Sequence, residues 1–282
     1  MSQSRVVLLG GGRSADAVQS WLISHGAEVE RYASGDLPTG GMPWQDGMQR
    51  IGGMQRIDGW PVEATEAVVA VGLSLAQARA ALLAWEPHLS VSTPMYVSAL
   101  THTVSEVAAG LRYPERVAGL QPWLFASLPL LELSRPVQAE DDSVWHGVTE
   151  FWSRYGKQVE VVDDAPGFVF PRILAMLVNE AAFATTEGVA AASAIDKAMR
   201  LGTNYPLGPL AWADEIGIDE VLGVLQALHQ EFGDDRYRPA PLLRKYVYAG
   251  WTGKAAGRGF YKYGGGQNGG EKSEFGGSRT HD

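Results

Sequence analysis

The segment 164–172, Asp-Ala-Pro-Gly-Phe-Val-Phe-Pro-Arg, divides the chain into two halves of different character. Before it, short apolar runs alternate with helical patterns, whereas the sequence after it reads as consecutive helices. Pro166 fixes its own φ and disfavours helix at the preceding residue, while Gly167 permits an unusual backbone angle. Pro171 suits the first turn of a helix that we expect to end near Gly188. We therefore predict a hinge between two domains, with a ligand site close to it.

A glycine-rich turn follows the first apolar run of the chain. Gly10, Gly12 and Ala15 fit the pattern G-x-G-x-x-A, after a strand at 6–9 and at the start of a helix. Such a turn lets a pyrophosphate approach the backbone at the positive end of the helix. An ordinary strand-to-helix turn is the alternative. A second strand at 28–32 completes a βαβ unit, however, and this context favours a dinucleotide-binding fold.

The acidic residue that binds the ribose of NAD usually stands at the end of the second strand. Ala33 occupies that position, Asp36 lies a few residues later, and Arg31 could instead face a phosphate. We therefore expect this substitution to weaken NAD binding, and the choice between NAD and NADP stays open.

The alternation of strands and helices continues up to the hinge and predicts a mostly parallel, doubly wound sheet. Ser74 and Ser193 are each expected to cap a helix that follows them. Further strands are predicted at 67–71, 89–91, 117–120, 130–133 and 159–162. Further helices are predicted at 75–85, 97–109, 143–155, 171–187, 194–201, 210–216, 219–232 and 241–249.

Composition restricts the classes of function. The net charge is −9 without a compensating basic cluster, which argues against nucleic acid and anionic membranes as partners. There is no cysteine, and the six histidines are scattered, so we expect no metal site. No apolar run is long enough to span a bilayer, and the first residues lack the features of a signal peptide. We therefore expect a cytoplasmic protein.

Two segments are rich in glycine. The first contains a short duplication, in which 47–51 recurs as 53–57, and we expect a loop or ribbon to which we assign no function. The second begins at Gly264 and is polar, so residues 264–282 are predicted to be disordered.

Motifs of the second half occur in the order typical of one enzyme family. They are Pro166-Gly167-Phe168-Val169 with Arg172, Asn179-Glu180-Ala181, Ile195-Asp196, Ala198-Met199, Leu201-Gly202, Tyr205-Pro206-Leu207-Gly208-Pro209, Asp214, Ile216-Gly217, Gly253-Lys254, Gly257 and Gly259-Phe260-Tyr261-Lys262-Tyr263. With these motifs the chain resembles the 3-hydroxyacyl-CoA dehydrogenase family over residues 5–263, closely in the second half and weakly in the first.

The resemblance implies a fold, a cofactor and partners. It implies a Rossmann-like NAD-binding domain at 1–164 and an all-α dimerisation domain at 165–263, with the active site between them. Members of that family oxidise the 3-hydroxyl of a hydroxyacyl-CoA with NAD, so an acyl-CoA substrate and a homodimer are expected. Amphipathic helices after residue 170 also require another apolar surface, which agrees with a dimer.

The chain departs from the family at the residues that carry the chemistry. Gln121 stands where the resemblance expects the histidine base, and Leu124 replaces the asparagine that shortly follows it. Glu132 matches the glutamate that orients the base. Pro171 stands at the place of the hinge asparagine. Pro94 and Met95 fall near the place of the substrate-binding serine, with Ser92 and Thr93 close by.

These departures leave three hypotheses open. The first is an oxidoreductase of this family that acts on an acyl-CoA or a related hydroxy acid through a degenerate site. The second is an inactive member that serves as a binding or scaffolding subunit. The third is a different reaction with Glu132 as the base. Glutamine can hold a carbonyl oxygen but cannot accept a proton at neutral pH. Gln121 could otherwise be an ordinary polar strand end, and Glu132 could be a strand carboxylate paired with an arginine.

Overall fold

A computed structural model describes residues 4–33, 65–140 and 142–263 of the protein. The 47–57 duplication, Asp36 and the 264–282 tail lie outside the described residues.

Seven strands of the described residues form one sheet. The order is β2-β1-β3-β4-β5-β6-β7, and neighbours run parallel except for the antiparallel pair β5 and β6. The expectation of a doubly wound, mostly parallel sheet is therefore confirmed. The strands are β1 (Arg5–Gly10), β2 (Glu28–Tyr32), β3 (Thr65–Val71), β4 (Met95–Ser98), β5 (Val117–Leu120), β6 (Leu130–Ser134) and β7 (Gln158–Val162).

Helices divide between the two halves of the chain. Those of the first half are α1 (Gly12–Ser24), α2 (Leu75–Trp85), α3 (Val104–Ala108) and α4 (Asp142–Arg154). Those that follow the last described strand are α5 (Phe170–Thr186), α6 (Ala192–Thr203), α7 (Pro209–Ile216), α8 (Ile218–Phe232) and α9 (Pro241–Tyr248). A Rossmann-like first half thus precedes a helical second half. The boundary between residues 164 and 165 falls between β7 and α5 and stays a prediction.

The predicted strand at 89–91 and helix at 97–109 were wrong. The strand is β4, whose residues Met95–Val97 pair with β3, and the helix begins only at Val104. The reason is a capping box, in which the Thr103 hydroxyl accepts from the Glu106 N–H while the Glu106 carboxylate accepts from the Thr103 N–H. A helix that starts at this box leaves the apolar run before it free to join the sheet.

The two predicted capping serines differ in outcome. Ser74 caps α2 as expected, because its hydroxyl accepts a hydrogen bond from the Gln77 N–H. Ser193 does not cap α6, since that helix already begins at Ala192 and has Ala191 at its N-cap without a side-chain hydrogen bond.

Apolar side chains cover both faces of the sheet. Along β1, Val6 and Leu8 belong to the cluster beneath α1 and α4, whereas Val7 and Leu9 belong to the opposite cluster. That second cluster also contains buried side chains of α5, α7 and α8. The helical half therefore shares one continuous core with one face of the sheet, and this core holds the two halves together.

Two carboxylates attach the hinge to the first half of the chain. Glu132 on β6 accepts hydrogen bonds from the N–H groups of Val169 and Phe170, at 2.8 and 2.9 Å, where α5 begins. Asp164 accepts from the N–H groups of Val104 and Ser105, at 2.7 and 2.8 Å, where α3 begins. Each carboxylate satisfies helix N–H groups that have no partner within their own helix. The entry of α5 is thereby set relative to the carboxyl edge of the sheet.

Replacing Glu132 is expected to destabilise the protein. Glu132→Ala leaves two N–H groups without their buried acceptor, so the free energy of unfolding should fall by about 1–3 kcal/mol. Glu160→Ala is the matched control, because Glu160 is the exposed partner of Glu132 across β6 and β7. Urea unfolding of both variants measures the difference, and equal stabilities would contradict the capping role of Glu132.

A buried lysine holds the loop that joins β5 to β6. The Nζ of Lys157 donates hydrogen bonds to the carbonyls of Phe125 and Leu128 and lies 3.7 Å from the centre of the Trp21 ring. Burial lowers the pKa of Lys157 to about 8, from its usual value of 10.5. Because this loop also contains Gln121, Lys157 stabilises one wall of the crevice described below.

The lowered pKa of Lys157 predicts a pH dependence of stability. Between pH 8 and 10.5 the unfolded lysine holds more of its proton than the folded one does, so stability from this group should rise with pH across that window. Wild type should therefore gain stability relative to Lys157→Met as the pH is raised from about 8 to about 10. Urea unfolding across this range tests it, with the exposed Lys197→Met as control. A constant gap between wild type and Lys157→Met would refute the assignment.

Candidate functional site

The described strands leave a crevice at the carboxyl ends of β1 and β3. The chain passes from β1 through α1 to β2 on one side, and then returns to β3 on the other side of β1. In open α/β sheets a ligand binds where the strand order reverses in this way. The turn from β1 into α1 and the loops after β3, β4 and β5 therefore surround the candidate site.

Glycines shape the turn from β1 into α1. Gly10 has a φ of +117°, and a Cβ there would lie 1.9 Å from the Val71 carbonyl oxygen. Gly72 has a φ of +71°, and a Cβ there would lie 2.1 Å from the Gly11 carbonyl oxygen. Gly10 and Gly72 thus let the two turns pack directly against each other. Gly12, with a φ of +79°, faces open space within 4 Å of its Cβ position.

The beginning of α1 suits a bound anion. Its N-cap residue Gly11 offers no side-chain hydrogen bond, and its first turn contains no acidic residue. The N–H groups of this turn are therefore available to a ligand, and the helix dipole favours a negative one. Ala15 is fully buried beneath the sheet, which allows the close approach of helix and strand that the fingerprint requires. The predicted residues Gly10, Gly12 and Ala15 thus come together in a turn that fits a pyrophosphate.

Arg31 bonds to groups of α1 and of the glycine turn. Its Nη1 lies 2.6 Å from Asp16 Oδ1 and 2.9 Å from Gln19 Oε1, both on α1, and its Nε donates to the Gly10 carbonyl. Arg31 therefore ties β2 to α1 beside the glycine turn. Ala33 is exposed just after β2 and offers no carboxylate to a ribose.

Gln121 and Glu132 are neighbours through their backbones. The Gln121 N–H donates to the Glu132 carbonyl at 3.1 Å, because residue 121 directly continues β5 beside β6. The Gln121 side chain is buried, and its Nε2 donates to the Trp123 carbonyl at 3.2 Å. No hydrogen bond between the Gln121 amide and the Glu132 carboxylate occurs among the described residues, since that carboxylate is bonded to the start of α5. The carboxylate is thus bonded to backbone N–H groups, and within the described residues no arginine forms the ion pair that the structural interpretation of Glu132 expected.

The corrected position of β4 changes where a substrate-binding residue is expected. Ser92, Thr93 and Pro94 precede β4, and Met95 is its first residue, so all four lie toward the amino end of that strand. Ligand-binding residues of such a sheet lie instead at the carboxyl ends of the strands. Thr101 and His102 are polar residues that follow β4 at that edge, before the capping residue Thr103. The capping box at Thr103 could have indicated from the sequence that a helix begins there, and therefore that Thr101 and His102 lie in the loop before it.

Thr101 and His102 differ in their surroundings. Thr101 is exposed, and its Cγ2 lies 3.5 Å from the Cβ position of Gly223 on α8, so this loop faces the helical half. His102 is buried, and its Nε2 has no hydrogen-bond partner within the described residues. Burial is the main cause that lowers the pKa of His102, which favours a neutral ring at pH 7.

Two further expectations concern the hinge and metals. Gly167 has a φ of +81°, as its position before α5 suggested, and Pro171 is buried in the first turn of α5 without a side chain that could bind substrate.

Across the described ranges, no three histidine, aspartate or glutamate side chains are grouped as metal ligands. No helix among those residues is long and apolar enough to cross a membrane.

Comparison with known proteins relates the second half of the chain to one family. Residues 167–263 match the family model of the 3-hydroxyacyl-CoA dehydrogenase C-terminal domain. The chain is 44% identical over 163 residues to a 3-hydroxybutyryl-CoA dehydrogenase of Bradyrhizobium diazoefficiens, covering 57% of this chain and 55% of the relative. It is 38% identical over 168 residues to one from Mycobacterium tuberculosis, covering 57% and 56%. The matches thus span little more than half of the curated relatives' length.

Two solved structures are similar to this chain over both of its halves. (S)-3-hydroxybutyryl-CoA dehydrogenase PaaH1 from Ralstonia eutropha has a TM-score of 0.75 at 26% identity, covering 94% of this chain and 100% of the other. FadB2 from M. tuberculosis has a TM-score of 0.78 at 25% identity, with the same coverage. Together with the motifs of the helical half, these findings show that residues 167–263 match the C-terminal domain of the 3-hydroxyacyl-CoA dehydrogenase family and that both halves share the fold of its solved members.

Proposed function

We propose that this protein is an NAD-dependent oxidoreductase that acts on a 3-hydroxyacyl-CoA or a related hydroxy acid through a degenerate active site. The observation that carries the proposal is the turn from β1 into α1, where an uncapped helix start faces open space at Gly12. Bound NAD would supply the hydride chemistry. The named relatives, which are 3-hydroxybutyryl-CoA dehydrogenases, support an acyl-CoA as the substrate class.

Gln121 limits the rate of this chemistry. Reduction of a ketone requires a proton for the oxygen while the hydride arrives at the carbon, and oxidation requires a base for the reverse step. A glutamine amide can donate a hydrogen bond to that oxygen but cannot exchange a proton with it at neutral pH. Loss of a general base costs a factor of about 10² to 10⁴, so slow turnover is expected.

Glu132 is poorly arranged to replace the missing base. Both of its oxygens accept hydrogen bonds from N–H groups of α5, and a proton transfer would have to break this cap. We therefore propose that Glu132 orients the helical half and does not act as the base. A pH–rate profile with an ionisation that disappears in Glu132→Gln, at unchanged stability, would overturn this view.

A second candidate function is a binding subunit without turnover. It is favoured by the combination of Gln121, which lacks base character, and Glu132, which is engaged in capping. In this case the nucleotide turn and the shared core would preserve the fold, while the protein would act through a partner. The cytoplasmic location expected from the sequence stays a prediction under either function.

NADH oxidation with acetoacetyl-CoA separates the two candidates. Wild type is expected to turn over slowly, and Gln121→His is expected to raise kcat by about 10²-fold or more, because it restores a proton donor at the end of β5. Gln138→His, on the same half of the chain, is the control for an added histidine. Absence of turnover in wild type and in Gln121→His, with NADH still bound, would favour the binding subunit.

We further propose that the helical half forms a homodimer. Apolar side chains on this half are exposed, including Ile173, Val189 and Leu201, of which Leu201 on α6 is 78% exposed. Burying such side chains against a second copy would remove them from water. The dimer expected from the family resemblance would thereby account for them.

The dimer predicts a selective effect of charge on α6. Light scattering should give the mass of two chains for wild type, and Leu201→Asp should shift the equilibrium toward the monomer. Val137→Asp is the matched control, because Val137 is similarly exposed, at 76%, but lies on the sheet half. A monomeric wild type at micromolar concentration would contradict the proposal.

A further inference from the structure

We propose that Arg13 clamps the coenzyme, by binding the pyrophosphate of NAD while Asp219 of the helical half holds its guanidinium in place. The inference rests on the proposed nucleotide site and adds a positioning interaction to it. It assigns a role to a residue inside the glycine turn and to a contact between the two halves of the chain.

The position of Arg13 brings it to the nucleotide turn. It follows Gly12 directly and lies in the first turn of α1, whose N–H groups have no side-chain cap. A positive charge carried by this turn favours an anionic ligand at the start of α1. The glycines of the turn would admit the pyrophosphate, and Arg13 would add charge to the backbone N–H groups.

The guanidinium of Arg13 crosses from the sheet half to the helical half. Its Nη2 lies 3.6 Å from Oδ1 of Asp219, which is in the first turn of α8. The two side chains are 36% and 49% exposed, so both remain accessible to a ligand. Guanidinium presents five N–H donors in a planar fork, and the edge that does not face Asp219 stays available for phosphate oxygens.

Gly217 provides the space in which Arg13 lies. A Cβ on Gly217 would be 1.8 Å from Nη2 of Arg13 and 2.8 Å from Oδ1 of Asp219. The backbone there has a φ of +119°, which a residue with a side chain rarely adopts. Glycine at the junction of α7 and α8 therefore permits the close contact, independently of the charge attraction between Arg13 and Asp219.

A second contact fixes the same turn of α8 over the crevice. Glu220 accepts a hydrogen bond from Nε1 of Trp123 at 3.4 Å, and Trp123 follows Gln121 in the loop after β5. The first turn of α8 thus contacts both the nucleotide turn and the loop that carries Gln121. This contact at the neighbouring Glu220 fixes the turn that carries Asp219, so Asp219 can orient Arg13 before the nucleotide binds.

NADH binding measured by fluorescence titration tests the clamp without any turnover. Arg13→Gln is expected to weaken NADH binding about tenfold or more, because a charge-assisted hydrogen bond to phosphate is lost. ADP-ribose, which has the pyrophosphate but no nicotinamide, should lose affinity by the same factor. Arg5→Gln is the control, since Arg5 is a partly exposed arginine paired with Glu28 at the opposite end of β1.

Asp219→Asn tests the positioning role. It should weaken NADH binding less than Arg13→Gln does, and the double variant should bind like Arg13→Gln alone, because Asp219 acts only through Arg13. Unchanged affinity in Arg13→Gln would overturn the inference but not the proposed function. Tighter binding in Asp219→Asn would also overturn it, since Asp219 would then compete with the coenzyme for Arg13. Failure of wild type to bind NADH would overturn the proposed function together with the clamp.

Discussion

Throughout the described chain, distant segments are connected by carboxylates that each accept hydrogen bonds from two consecutive backbone N–H groups. Glu86, Glu132, Asp164, Asp196 and Asp214 all do so, the last two with Leu210 and Ala211 and with Phe260 and Tyr261. A carboxylate is costly to bury unless hydrogen bonds compensate for lost water, and helix starts and turns supply such donors. Each pair therefore joins elements that no local pattern would bring together, and the crevice depends on two of them at the hinge.

The motifs that resemble the family in the helical half serve this architecture. A Cβ on Gly208 would lie 2.3 Å from the Asp196 side chain, and one on Gly259 would lie 1.9 Å from Asp214 Oδ1. Both glycines are needed for the approach of the carboxylates, and the hydroxyl of Tyr261 donates to Asp196 at 2.7 Å. Burial is the main cause that raises the pKa of Asp214. These motifs thus indicate the fold and do not by themselves indicate catalytic activity.

The proposed chemistry depends instead on residues at the carboxyl edge of the sheet. Some of them match the family pattern, and others differ from it. The turn from β1 into α1 keeps the glycines that a dinucleotide requires, with Arg13 linked to the helical half. At the end of β5, Gln121 stands where the family resemblance expects the base, and the neighbouring Glu132 caps α5. Under the proposed function this difference affects proton transfer, whereas other residues form the nucleotide turn and the contacts between the two halves.

The sequence by itself determined what depends on neighbours along the chain. The glycine turn, the cap of α2 at Ser74, the helical periodicity after the hinge and the alternation before it all act within a few residues, and they predicted the fold class. Tertiary structure alone decided the partner of Glu132, the contact of Arg13 with Asp219 and the edge of the sheet at which His102 lies. β4 was also misplaced, because an apolar run such as Met95–Ser98 becomes a strand only when β3 and β5 pair with it. These contacts join residues far apart in sequence, and no local propensity specifies which of several carboxylates or apolar runs will meet.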